Sequence, residues 1–387
     1  MQGRVKTVKN ILYVTVIFIF IAYLFMYPSE VKDSVRDSLN VGVDILIPAL
    51  FPFLIISGII SSTYCGKIIS YPLRFISKYI YGMPKQVAPA LLSAYIGGYP
   101  SGINSLIELR NIGAIDDECC NMCSKYLIYS SPPFVITVIG ASIFHSLRIG
   151  VLIFLAHIFS SILIRWISFP HIIKNRCNKI ENFSYENMGD AIVNSCINSA
   201  KIIINMQAFV IISSVFLLVI KKIGLISLLS ELFYGISFGI IDNGLINSML
   251  VGCTEICSGV DLVSRLSYAQ VALIAPFQIA FGGICVILQL KSLCRQNNVN
   301  SSGLLKTRFL NAIATDIFSA PIIYAYYKAN ATFVSSATPL FAENRAFMSI
   351  CSLFGVVIML ICVLKSLGQG IRNSYSKEKL MIGEREL

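Results

Sequence analysis

Gly98-Tyr99-Pro100-Ser101-Gly102-Ile103-Asn104 and Glu255-Ile256-Cys257-Ser258-Gly259-Val260-Asp261 decide the reading of this chain. They lie inside two apolar stretches, 87–106 and 244–263, long enough to enter a bilayer. Each puts helix-breaking or polar residues where a lipid-crossing helix would carry neither. Backbone that stops being helical at membrane depth persists only where protein buries it or where it lines a wet cavity. Paired breaks in two related halves are the sequence mark of a transporter's binding site.

Working outward, composition supports a membrane setting. Of 387 residues, 56% are hydrophobic and 13% charged, whereas soluble domains run near 45–50% apolar and about 25% charged. The formal charge of +11 does not point to nucleic acid. Its Lys and Arg sit in short clusters between apolar spans, the pattern of topology signals. Cys119, Cys120 and Cys123 are the only clustered cysteines among twelve. With no His nearby and no second pair at ligand spacing, they do not read as a zinc site. The three histidines are dispersed. No nucleotide loop, nucleophile elbow or zinc-protease signature is present, so neither an ATPase nor another enzyme is expected.

The apolar stretches fall at 11–27, 45–64, 87–106, 126–144, 149–169, 202–220, 223–241, 244–263, 268–290, 309–327 and 347–364. If all of them crossed, the basic loop with Lys174, Arg176 and Lys179 would oppose the basic N-terminus carrying Arg4, Lys6 and Lys9. The conflict goes away if each motif stretch is a re-entrant hairpin and 223–241 lies along the interface. Lys291, Arg295, Lys306 and Arg308 then join the basic side, with both termini cytosolic as the positive-inside rule asks. The two hairpins enter from opposite faces, giving inverted repeats. Echoes support the pairing: Phe53-Leu54-Ile55-Ile56-Ser57 with Phe209-Val210-Ile211-Ile212-Ser213, and Pro133-Phe134 with Pro276-Phe277. The expectation is an all-α polytopic membrane protein divided as 1–38 (retained anchor helix and loop), 39–170 (first repeat), 171–290 (second repeat) and 291–387 (two helices and a basic tail).

Each motif carries candidate substrate-binding groups. Gly98 and Gly102 can adopt backbone angles closed to other residues, and Pro100 removes an N–H and holds Tyr99 extended. Ser101 or Asn104 would cap a new half-helix near Ile103, whose positive end attracts an anion. Glu255 is ionisable inside a span and is a functional candidate by default; it would bind a cation, relay a proton or pair with a base. Asp261 aligns with Asn104 as a cap, beside Ser258 and Gly259. Ser131, Phe134 and Gln278 flank prolines that free carbonyls one turn upstream. No bound cofactor is expected, and a coupling H+ or Na+ is left open. The partners implied are a small-molecule anion and the lipid bilayer.

At these motifs the chain resembles the YlbJ-type sporulation integral membrane proteins, which carry a nucleoside-recognition gate fold. The resemblance rests on Gly98-Tyr99-Pro100-Ser101-Gly102, on Glu108-Leu109-Arg110-Asn111 with Asp116-Asp117-Glu118, and on Glu255-Ile256 with Ser258-Gly259. Two positions depart from it. Asn104 stands where members often carry Lys, and Pro132 stands where they tend to have Asn or Asp. The resemblance implies export of dipicolinate across the outer forespore membrane. The residues are compatible with this: Tyr99 and Phe134 would stack on its ring. Fold analogy alone would also allow a nucleoside carrier. A non-transporting membrane assembly or signalling protein is the reading from a different class, and the location is then a bacterial inner or outer forespore membrane.

Overall fold

The computed structural model describes residues 2–144, 146–175, 186–263 and 265–330, which are helical and contain no strand. The expected span at 347–364, the basic tail, Arg176 and Lys179 lie outside the described residues.

Helix α1 (Gln2–Met26) touches the rest of the protein little; Tyr23 is its buried contact, donating its hydroxyl to Glu30 at 3.2 Å. Helix α2 (Pro28–Val41) continues through one π-helical turn, Gly42–Leu46, into α3 (Ile47–Ser62). Pro48 lacks an N–H, and the wider turn just ahead of it absorbs the missing bond. Gly42 makes room there for Gln207, which donates to the Ser38 carbonyl at 2.7 Å. Short pieces α4 (Tyr64–Ile69) and α5 (Leu73–Phe75), with a π turn at Ile76–Ile80, run along the outside, exposing Ile68, Tyr71, Phe75 and Tyr79.

Two short antiparallel pairs follow the motifs. Helices α6 (Ala88–Gly97) and α7 (Tyr99–Asn111) pack on each other. Helix α8 (Asp117–Cys123) follows, its Asp116 capping the Cys119 N–H at 2.7 Å. Residues 127–131 have no regular structure, and a π-helix covers Phe134–Ile143. Helices α9 (Leu147–Ser168), α10 (Met188–Lys222) and α11 (Leu225–Ile236) lead to the second pair, α12 (Asn243–Thr254) and α13 (Ile256–Val263). Helices α14 (Tyr268–Phe281), α15 (Gly283–Gln296) and α16 (Leu304–Asn330) complete the described part.

Among the described residues, five helical stretches are long and apolar enough to cross a membrane: Pro28–Ser62, Leu147–Ser168, Met188–Lys222, Gln270–Gln296 and Leu304–Tyr326. At 1.5 Å per residue a 22-residue helix such as α9 reaches ~33 Å, which matches a ~30 Å hydrocarbon core. The paired motif helices run to 13 residues or fewer and so reach ~20 Å at most. Burial sorts the long helices. The apolar window of Gln270–Gln296 is 83% buried, against 22–44% for the other four. The first forms the middle of the bundle, while the others turn Leu155, Phe159, Ile204 and Ile212 outward. Helix α16 packs on both α9 and α14, so it closes the bundle around the hairpins.

The 268–290 stretch breaks at Gly282, whose φ is 77°, while Pro276 sits inside α14. One expectation changes here. Arg308, assigned by its position to a basic flank, is 1% exposed within α16. Arg165 is likewise buried; it donates to the carbonyls of Phe169, His171 (2.8 Å) and Gly82 (3.3 Å), tying the end of α9 to the turn at Gly82.

Candidate binding chamber at the helix breaks

The first hairpin turns on one residue. Gly98 has φ 78° and ψ −163°, a region essentially restricted to glycine. A Cβ there would sit 2.9 Å from the Ser131 nitrogen and 3.0 Å from its Cβ. Helix α7 therefore begins at once, at Tyr99, with Pro100 in its first turn, where a missing N–H costs nothing. This corrects the expected caps, because Ser101 and Asn104 lie inside the helix and no side chain caps it. Ser101 is buried against Gly97, and Asn104 is half-buried and lines neither of the two cavities described below. Gly102 is where the arms cross: a Cβ on it would lie 2.7 Å from the Ala94 Cβ and 3.0 Å from the Leu127 carbonyl.

The second hairpin has the same plan with a different cap. Glu255 is extended (φ −142°, ψ 119°) and 1% exposed. Its carboxylate accepts the N–H groups of Cys257 at 2.8 Å and Ser258 at 2.6 Å. It thus occupies the positive end of α13 with its own negative charge. Asp261 sits a turn and a half into α13, so it is no cap; its side chain lies outside the described residues. Gly259 is the crossing point, where a Cβ would lie 2.2 Å from the Gly252 Cα. Gln278 is fully buried beside Gly252 and Gly259 and donates to the Ser248 carbonyl at 2.8 Å. It ties α14 to the hairpin and faces neither cavity.

Two cavities meet at these breaks. The outer one has a volume of about 1530 Å³ and runs from Glu30 at its rim to Glu255, Ser258 and Pro132. The inner chamber has a volume of about 50 Å³. Phe134, Val210 and Cys257 line both and form the wall between them. Around the chamber stand Gly98, Tyr99 and Pro100 at the start of α7, and Ser131 and Phe134 at the start of the π-helix. Ile256 and Cys257 at the start of α13, and Gly282 with Cys285 at the start of α15, complete it. Four helices thus point their first turns at one small space, and first-turn N–H groups have no partners within their own helix. Glu255 satisfies those of α13, while α7 and α15 have no side-chain cap. Ser131 is 5% exposed and its hydroxyl has no partner.

Charge differs between the two spaces. One face of α2 and its π turn presents Glu30, Asp33, Asp37 and Asp44 to the outer cavity, with Lys221 opposite. Among the described residues no Asp, Glu, Lys or Arg lines the inner chamber; helix starts face it. The two motif breaks, Ser131 and Phe134, all expected from sequence, gather here. Gly282 is an addition, signalled in sequence by the double glycine Gly282-Gly283. So is the acidic face of α2, with carboxylates at i, i+3, i+7 and i+14.

This is an integral, multi-pass, all-α membrane protein. Among curated proteins, the chain is similar to the sporulation integral membrane protein YlbJ of Bacillus subtilis (strain 168). The two are 20% identical over 391 residues, covering 90% of this chain and 96% of that protein. No family model matches the chain, and no solved structure matches it.

Proposed function

We propose that this chain is a secondary carrier of a small anionic metabolite, most concretely dipicolinate moved across the outer forespore membrane during sporulation. The observation that carries the reading is the convergence of four helix starts on one chamber, of which α13 alone has a capping side chain. Such ends favour negative charge. Position 98 adds to this: where the second hairpin supplies Glu255 as a resident carboxylate, the first has Gly98 and a helix start without a side-chain cap. A substrate carboxylate at α7 would play the part that Glu255 plays at α13. Likeness to YlbJ supports the sporulation setting, and the helical hairpins suit re-entrant elements of inverted repeats.

The outer cavity has ample room for a planar aromatic acid, while the chamber holds about one carboxylate group. The acidic face of α2 concentrates cations at the rim, which fits entry of a coupling H+ or Na+. That same face, with Glu255, favours a second reading as a nucleoside carrier, because carboxylates accept ribose hydroxyls without charge repulsion. Flux in proteoliposomes decides between them. Dipicolinate uptake that responds to a proton or sodium gradient, with nucleosides inert, is the expected result. Nucleoside uptake without dipicolinate uptake would replace the first reading with the second, and no flux of either would end both.

A further inference from the structure

We infer that Arg308 is the fixed counter-charge for an anionic group held in the inner chamber, an inference that rests on the carrier reading above. Arg308 stands one turn into α16, and its side chain reaches behind the break between α14 and α15. Its Nε donates to the Phe281 carbonyl at 3.1 Å and its Nη1 to the Ile128 carbonyl at 3.1 Å. One guanidinium therefore holds the chain ends at two of the four breaks, the irregular segment 127–131 and the end of α14. Its third nitrogen, Nη2, is buried and has no partner.

Nη2 lies directly behind the chamber wall. A Cβ on Gly282 would lie 2.5 Å from it, and Gly282 is chamber wall. The guanidinium carbon lies 5.8 Å from the centre of the Tyr99 ring, which is also chamber wall. The absent side chain at Gly282 is what lets the cation approach the start of α15. Among the described residues no carboxylate pairs with Arg308. A buried cation with an unsatisfied donor and no counter-ion is costly, and such residues in membrane proteins mark ligand paths. The charge adds to the uncapped helix starts of α7 and α15, and the partnerless Ser131 hydroxyl on the facing wall offers the anion a further donor. Together they select a carboxylate-bearing or similarly anionic group over a neutral one.

The test is ligand binding to the purified protein, read by thermal stabilisation and calorimetry. The probes are dipicolinate, its neutral diamide, benzoate and acetate. In the native protein carboxylates stabilise and the diamide binds more weakly. Arg308→Gln is expected to weaken dipicolinate binding at least ~30-fold while leaving the diamide unchanged, as loss of one partner of a buried charge pair does. Arg308→Lys keeps the charge, loses the fork, and is expected to weaken dipicolinate by about tenfold. Should Arg308→Gln fail to fold, the similarly sized neutral Arg308→Met carries the test, and its binding dipicolinate as tightly as the native protein would overturn the inference. So would equal losses for acid and diamide in a folded variant, or a native protein stabilised by no carboxylate of the four-probe set. Flux separates the two readings. Arg308-dependent binding without transport sinks the carrier and keeps the counter-charge, whereas transport indifferent to Arg308 does the reverse.

Discussion

Replacing Glu255 by alanine removes the cap of α13 and nothing else in the second hairpin. The carboxylate accepts two backbone N–H groups, from Cys257 at 2.8 Å and Ser258 at 2.6 Å, in a site where Glu255 is 1% exposed. Each buried donor left unpaired costs ~1–3 kcal/mol. Removing a buried charge returns part of this, because burying it was itself costly. The net loss for Glu255→Ala is about 2–4 kcal/mol on that scale. Glu255→Gln keeps one acceptor oxygen, and its loss is roughly half as large. The assay is thermal unfolding in detergent, together with the alkylation rate of Cys257, which sits between the capped end and both cavities. The order native, Gln, Ala is expected in melting temperature, and the reverse order in Cys257 labelling. If Glu255→Ala melts with the native protein and Cys257 labels no faster, the carboxylate is not holding the helix end. Flux adds a second readout: a stable Glu255→Gln protein that has lost gradient-driven uptake would assign Glu255 to coupling as well as capping.

The glycine crossings make a separate prediction. Gly259→Ala places a Cβ 2.2 Å from the Gly252 Cα, so the arms must part; the cost is ~1–3 kcal/mol. Gly189→Ala, with nothing within 4 Å, stays within about 0.5 kcal/mol of native, and thermal unfolding compares the two. The cysteines of α8 are expected to be inert. Burial pushes the Cys120 thiol up to about 12, so at pH 8 about one thiol in ten thousand is the reactive thiolate. Maleimide at pH 7–8 should label exposed Cys65 and spare Cys120 while the fold persists, and unfolding in detergent should make both label.

Much of this architecture is written in the pattern of Gly, Pro and polar residues within apolar stretches. Gly98, Gly102 and Gly259 are legible because they stand near Pro or ionisable residues in a lipid-grade segment, where the backbone must break or pack closely. The expected caps lie three to six residues past Gly98 and Glu255, the residues just before the observed helix starts, for a physical reason. A glycine at φ 78° reverses the chain in one step, so no Ser, Asn or Asp is needed as a cap, and Pro100 enters the first turn. Glu255 looked like an ion site, yet its nearest donors are the N–H groups of its own helix, a pairing that spacing alone leaves open. Arg308 was misread because a cation a few residues before an apolar run matches the flanking pattern of the positive-inside rule. Only the packing of α16 against α9 and α14 turns that face inward. Gln278 was placed with the site because it follows Pro276, but its contacts are Ser248 and the glycine crossing.

Cross-linking between the two hairpin tips tests the central claim most directly. With native Cys257 retained, the other reactive cysteines replaced and cysteine introduced at Tyr99, a short thiol-to-thiol reagent should join the two positions in membranes, since both line the 50 Å³ chamber. Dipicolinate should slow the reaction by filling the space. Tips that label readily one at a time yet never join would contradict a shared chamber, and the carrier reading would fall with it.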